Sequence, residues 1–436
     1  MIHTIDLRGS KPSRAELLGL VPRSHTDVSA ASAVASDLIA GVRDRGQEAL
    51  LDQAARFDGA RPHRIRVDTA DIASAVRGLR SDVRAALAEA ISRVRQATQA
   101  QLPADAVTSL GSGAEIIQRW VPVRRVGFYV PGGKAVYPSS VVMNVVPAQV
   151  AGVASVALAS PPQKEFGGAV HPTILGAAGL LGVDEVYAMG GAGAIGAFAY
   201  GVPAIGLEAV ELVTGPGNVY VAAAKRLVRG RVGIDTEAGP TEILVIADGT
   251  ANPFLVASDL ISQAEHDELA AAVLVTDSPG LADSVRGELA RLVPLAYHRD
   301  RVAAALGGEQ SAIVLVDDLD TAAAFSNAYG PEHLELQTAV PEATLAMIES
   351  AGAIFLGESS PVSLGDYLAG SNHVLPTGGQ ARFAPGLGAY TFLKSQQVVR
   401  YDRTALRAVQ SHLLALAAAE DLPAHAAAIT ARFADR

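Results

Sequence analysis

In the stretch DLISQAEHDE, residues 259–268, Gln263 and His266 stand three residues apart. On a helix they share one face, at places where a core helix would carry Leu or Val. An amide oxygen and an imidazole nitrogen are both ligands for a borderline divalent cation. Asp366, in GDYLAGSNHVLPT, and His425, in EDLPAHAAA, can add a carboxylate and a second imidazole. The chain has no cysteine, so no thiolate competes and the available set is all nitrogen and oxygen. Such a set suits an open, functional metal site better than a closed structural one. These residues lie far apart in sequence, so spacing alone does not assemble them.

Glu332 and His333, in AYGPEHLEL, suit different work. A carboxylate that orients water beside an imidazole that shuttles protons is a general acid–base pair near neutral pH. Adjacent residues of a regular strand point to opposite faces, but Gly330-Pro331 makes an irregular entry at which both can converge. The alternative is that Glu332 caps a turn and His333 packs at a strand start. His373 follows Asp366 by seven residues and Glu420 precedes His425 by five, each in Gly- or Pro-punctuated surroundings. Gly191-Ala-Gly193-Ala-Ile-Gly196 is a G-x-G-x-x-G between an expected strand and helix, the setting of a dinucleotide fingerprint. No acidic residue follows about twenty positions on, and a plain tight βα turn reads the same way.

The elements that must hold these residues follow from periodicity. Residues 29–102 carry apolar residues at three- and four-residue spacing, which predicts helices. From about residue 121 short apolar runs alternate with helical patterns. RVGFYV, ASVALAS and VDEVYAM belong to a first cycle; EILVIAD, AAVLVTD, SAIVLVDD and GAIFLGE belong to a second. Alternation of this kind predicts parallel sheets covered by helices, in two Rossmann-like α/β units. The expected domains are a helical region 1–120, Rossmann-like domains 121–238 and 239–380, and a C-terminal helical arm 381–436. With 436 residues and 49% hydrophobic content a packed core is assured. Net charge −10 without a basic block argues against nucleic acid or anionic membranes as partners. The N-terminus MIHTIDLRGS has no signal-peptide pattern, so a cytoplasmic protein is expected.

Long motifs in order, RVGFYVPGG (125–133), TGPGN (214–218), IDTEAGPTEILVIAD with ASDLISQAEHD (234–267), GPEHLEL (330–336), GDYLAGSNHVLPT (365–377) and LPAH (422–425), resemble the histidinol dehydrogenase family over nearly the whole chain. The resemblance implies a zinc- and NAD-dependent oxidation of L-histidinol through the aldehyde to L-histidine. It places the zinc ligands on Gln263, His266, Asp366 and His425, and the acid–base pair on Glu332 and His333. Substrate contacts fall on Thr241, His333, Asp366, His373 and Glu420, with the zinc ligands Gln263, His266 and His425 also facing the substrate. Cofactor contacts fall on Tyr129, Gly193 and Asn218. It also implies a homodimer in which the C-terminal arm, with Glu420 and His425, completes the partner's site.

One departure is notable. The family usually has Gln, which contacts NAD, where this chain has Gly193, and that replacement itself creates the G-x-G-x-x-G. A related zinc and NAD dehydrogenase acting on another small alcohol, a diol or a sulfonated alcohol, is the alternative reading.

Overall fold

A computed structural model describes residues 2–23, 28–132, 136–237 and 239–434, without the side chains of residues 28 and 29. The chain begins with β1 (His3–Asp6), α1 (Arg14–Leu20), α2 (Val28–Arg45), α3 (Gln47–Gln53), α4 (Thr69–Gly78) and α5 (Ser81–Gln99). Strands β2 (Ala106–Gly111) and β3 (Ala114–Pro122) follow. The first alternation is β4 (Arg125–Tyr129), α6 (Pro138–Ala151), β5 (Ser155–Ser160), α7 (Pro172–Leu180), β6 (Val186–Ala188), α8 (Gly191–Tyr200), β7 (Leu212–Thr214), α9 (Val219–Val228) and β8 (Gly233–Ile234). The second starts with β9 (Glu242–Ala247), α10 (Pro253–Ala264), β10 (Ala271–Thr276), α11 (Pro279–Leu292), α12 (Arg299–Gly307) and β11 (Ala312–Leu315). It continues with α13 (Leu319–Tyr329), β12 (His333–Gln337), α14 (Pro341–Leu345), β13 (Ala353–Leu356) and α15 (Val362–Tyr367). The chain closes with β14 (Leu393–Tyr401), α16 (Arg403–Ala419) and α17 (Pro423–Ala431).

Two compact units result: Met1–Gln101 with Val123–Phe392, and Leu102–Pro122 with Leu393–Arg436. The first contains two parallel sheets, ordered β6-β5-β4-β7-β8 and β1-β11-β10-β9-β12-β13. Within each alternation the strands run third, second, first, fourth, fifth, the doubly wound order. Every residue of β9, β10 and β11 is buried, as strands covered on both faces require, and their sequences are accordingly apolar runs broken only by Glu242 at the start of β9 and Thr276 at the end of β10. β1 extends the second sheet by pairing with β11. This strand lies in the region expected to be helical. Four residues without a neighbouring strand in sequence carry no pattern that identifies such an edge.

Helix α2 packs Ala35, Ile39 and Val42 into the core of the first sheet beside Ile195 and Phe198 of α8. Gly196 permits that approach: a Cβ there would lie 3.2 Å from Ile39 Cα. The second unit is an antiparallel sheet, β14-β3-β2, with α16 and α17 packed on each other. Arg407 lies over the Phe433 ring at 4.0 Å and ties the end of the chain to α16.

Gly127, in the middle of β4, faces the fully buried Phe198, and a Cβ there would come within 2.6 Å of the ring. Gly127→Ala is expected to lower stability by ~1–3 kcal/mol through overpacking. The urea midpoint at constant m-value measures it.

Candidate active site

Doubly wound sheets usually build sites at the carboxyl ends of their strands. Here the polar side chains gather at the opposite edge of the second sheet. Thr241 immediately precedes β9, Glu332 immediately precedes β12, and His333 is the first residue of β12. Parallel pairing sets His333 opposite Ile243, which brings Glu332 beside the start of β9. Its carboxylate Oε2 accepts hydrogen bonds from Thr241 Oγ1 at 2.6 Å and from the Glu242 backbone N–H at 2.9 Å. The entry is irregular as expected: α13 ends on left-handed Gly330, φ +57°, before Pro331 turns into the strand.

Helix α10 starts with an Asn252 cap and Pro253 and runs back to the amino edge, so its last turn arrives beside Thr241. Gln263 donates from Nε2 to Thr241 Oγ1 at 2.6 Å. Its Oε1 is buried and has no hydrogen-bond partner among the described residues. His266 lies beyond the helix, which ends at Ala264 rather than carrying both side chains on one regular face. A hydrogen bond from the His266 backbone N–H to Gln263 O at 3.2 Å continues the turn. The His266 Nδ1 lies 3.2 Å from Ser262 O and 3.3 Å from Gln263 O. A carbonyl only accepts, so Nδ1 donates, and in the neutral ring Nε2 is the nitrogen left to bind a cation. Nε2 stands 4.0 Å from Asp366 Oδ2 on α15.

A buried orphan oxygen, an imidazole lone pair and a carboxylate are what a divalent cation needs, and these residues fit one. Among the described residues, however, no three His, Cys, Asp or Glu side chains form a metal-holding group. His425 and Glu420 belong to the second unit, where both are exposed. They flank the turn between α16 and α17, in which Asp421 takes a left-handed φ of +54°, uncommon for a non-glycine residue.

His333 is buried and points Nδ1 at Glu242 O, 3.1 Å away, so its Nε2 is also free of a proton. Burial holds its pKa below the usual histidine range, partly offset by the charge of Asp366. His373 donates from Nδ1 to Asp366 O at 2.9 Å, and its Nε2 accepts from Ser140 Oγ at 3.0 Å. Ser140 opens α6 at the carboxyl edge of the first sheet, so His373 joins the two sheets. Burial pushes Glu332 up to about 7, with its two hydrogen bonds opposing the rise. Burial also pushes Glu242 up to about 7; Arg23 opposes this and the charge of Glu332 adds to it.

At the carboxyl edge of the first sheet, Tyr129 ends β4 and its hydroxyl accepts from the Gly191 N–H at 3.2 Å. Gly191, at φ +58°, has no atom of the described residues within 4 Å of where a side chain would stand, at the start of α8. A Cβ on Gly193 would lie 2.0 Å from Gln53 Oε1, so the glycine makes room for α3. Asn218 spends its Oδ1 on the N–H groups of Tyr220 and Val221, capping α9. Asp58, which the sequence reading missed, sits beside Gly190 and Tyr129, where burial raises its pKa to about 6. It brings an acidic group to this edge from the N-terminal helices, far from the glycine motif, so no spacing rule identifies it.

A family model described as histidinol dehydrogenase matches residues 21–433. The chain is 69% identical over 435 residues to a histidinol dehydrogenase of Leifsonia xyli subsp. xyli, covering 100% of both chains. It is 58% identical to one of Thermobifida fusca, covering 99% of this chain and 98% of the relative. Among solved structures, histidinol dehydrogenase from Elizabethkingia anophelis matches with a TM-score of 0.91 and 32% identity, covering 99% of this chain and 98% of that one.

The raised pKa of Glu332 has a consequence for stability. The neutral carboxyl stabilises the metal-free fold fully below pH 4.5, and that contribution is lost as pH rises through about 7. Metal-free Glu332→Gln should therefore gain stability relative to the parent chain between pH 5 and 8, by up to ~3 kcal/mol. Paired urea titrations at the two pH values read the difference.

Proposed function

The chain belongs to the histidinol dehydrogenase family, oxidoreductases of histidine biosynthesis, and on that premise we propose that it oxidises L-histidinol through L-histidinaldehyde to L-histidine, reducing two NAD⁺. The observation that carries this reading is the buried Oε1 of Gln263, without a hydrogen-bond partner among the described residues, beside the His266 lone pair and the Asp366 carboxylate. Through Thr241 that amide is hydrogen-bonded to Glu332. In this reading Gln263, His266, Asp366 and His425 hold zinc, which when bound supplies Lewis acidity toward the substrate's amino alcohol. Tyr129, Gly193 and Asn218, with the start of α8, form the NAD side.

The chain's own groups can then carry the protons. His333, neutral with Nε2 free, takes the carbinol proton as hydride passes to NAD⁺, leaving the aldehyde. The aldehyde must gain water before a second hydride can leave, and without cysteine no thiohemiacetal route exists. Glu332, titrating near neutrality, removes a proton from the attacking water, while Thr241 and the Glu242 N–H orient its carboxylate. Once His333 has released its first proton to solvent, it takes the remaining hydroxyl proton as the second hydride passes to a second NAD⁺, which yields the carboxylate of L-histidine. Asp366, His373 and Glu420 hold the substrate's charged and hydrogen-bonding groups.

Glu420 and His425 are assigned to the neighbouring site of a homodimer. Exposed Leu416 and Leu422 beside them support a partner that covers this arm. No helix among the described residues is long and apolar enough to cross a membrane. The net charge of −10 without a basic block supports a small-molecule substrate over nucleic acid, in an enzyme we assign to the cytoplasm.

Purified, zinc-loaded protein should form two NADH per L-histidinol, lost on chelation and restored by zinc. Turnover of a diol or sulfonated alcohol but not of histidinol would overturn the substrate assignment. Glu332→Gln should slow oxidation of supplied histidinaldehyde ~10²–10⁴-fold, and His333→Asn should slow both oxidations to a similar extent. Unchanged aldehyde oxidation in Glu332→Gln would remove the water-activating role.

A further inference from the structure

The face of β12 that meets α10 carries His333, Glu335 and Gln337, while Leu334 and Leu336 point into the opposite core. Glu335 is 1% exposed and takes no part in the chemistry above. Its Oε1 accepts the backbone N–H of Val362, the first residue of α15, at 3.0 Å. Its Oε2 accepts from Gln337 Nε2 at 2.9 Å, and the same amide reaches Asp259 Oδ2 on α10 at 3.2 Å. Asp259 and Glu335 are thus bridged by one amide that donates to both. Burial raises both acids, Glu335 to about 8 with the charge of Asp259 adding.

Each element tied here carries a part of the site a short step away. Gln263 lies four residues beyond Asp259 on α10, Asp366 lies four beyond Val362 on α15, and His333 lies two before Glu335 on β12. Apolar packing would hold these elements together, but contacts between hydrocarbon surfaces have little directionality. Hydrogen bonds have preferred angles, so a buried network tied to three elements favours one arrangement, with Gln337 Oε1 left unpaired among the described residues. The Val362 N–H and the Gln337 amide both donate to the carboxylates of this network.

We propose that Asp259, Glu335 and Gln337 form a positioning device that sets Gln263, Asp366 and His333 relative to one another for metal binding and catalysis. The proposal rests on the metal-site reading above. It makes Glu335 a positioning residue, acting through the elements it ties.

The test loads the full-length, metal-free protein with Co²⁺ and reads binding affinity and the visible ligand-field spectrum for the parent chain, Glu335→Leu, Glu335→Gln, Asp259→Ala and His266→Ala. Glu335→Leu should bind Co²⁺ ~10–100-fold more weakly with an altered spectrum. Glu335→Gln keeps an acceptor for Val362 and sets an N–H group against Gln337, whose unpaired Oε1 can turn to accept it, and should return affinity to within ~3-fold of the parent. A folded Glu335→Leu with parental affinity and spectrum overturns the proposal. If circular dichroism shows Glu335→Leu to be unfolded, Asp259→Ala, at a partly exposed position, decides: weaker binding with a shifted spectrum supports the device, and parental behaviour overturns it. A parent chain that binds no Co²⁺, or binds it equally well as His266→Ala, rejects the metal-site reading first, and this proposal with it.

Discussion

The parallel pairing of β9 with β12, which sets His333 opposite Ile243, is the constraint on which the site depends. It places the two residues before the strands, Thr241 and Glu332, within hydrogen-bonding distance of each other. A slip of one residue would exchange the faces of β12, turning His333 and Glu335 into the α13 core and Leu334 and Leu336 toward α10. The apolar alternation of Leu334 and Leu336 against Leu244 and Ile246 excludes that slip. Core packing on one face thus sets the chemistry on the other.

Placing a site at the amino edge of a parallel sheet has a geometric reason here. Each covering helix runs antiparallel to its strand, so its carboxyl end reaches the amino edge. Gln263 and Asp366 occupy the last turns of α10 and α15, and His266 lies just past α10. Helix carboxyl ends carry partial negative charge and suit cations. The opposite edge of the first sheet offers the start of α8, which suits an anion such as a pyrophosphate. The bond between His373 and Ser140 connects these two edges of opposite electrostatic character.

Much of the fold is legible along the chain because buried parallel strands and amphipathic helices have distinct periods. EILVIA, AAVLVT and AIVL announce themselves as strands, and RVGFY and SVALAS do so for the first sheet. The short edge strand β1 and the antiparallel pair β2 and β3 do not, since their partners are distant in sequence and β2 is exposed throughout. The glycine motif was the least informative signal. Gly193 and Gly196 lie where α3 and α2 come close, so much of that pattern reflects packing.

Residue types and motif order in the sequence determined the family, the doubly wound class and the identity of the polar residues that deserve a chemical role. Only the tertiary structure decided that Gln263 Oε1 is buried without a hydrogen-bond partner among the described residues, that His266 and His333 both keep Nε2 free, and that Glu332 titrates near neutrality. The physical reason is that ligand availability and acidity are set by burial and by partners from distant elements. A carboxylate has its ordinary acidity in the sequence; the strand pairing that buries Glu332 beneath Thr241 and Glu242 changes it.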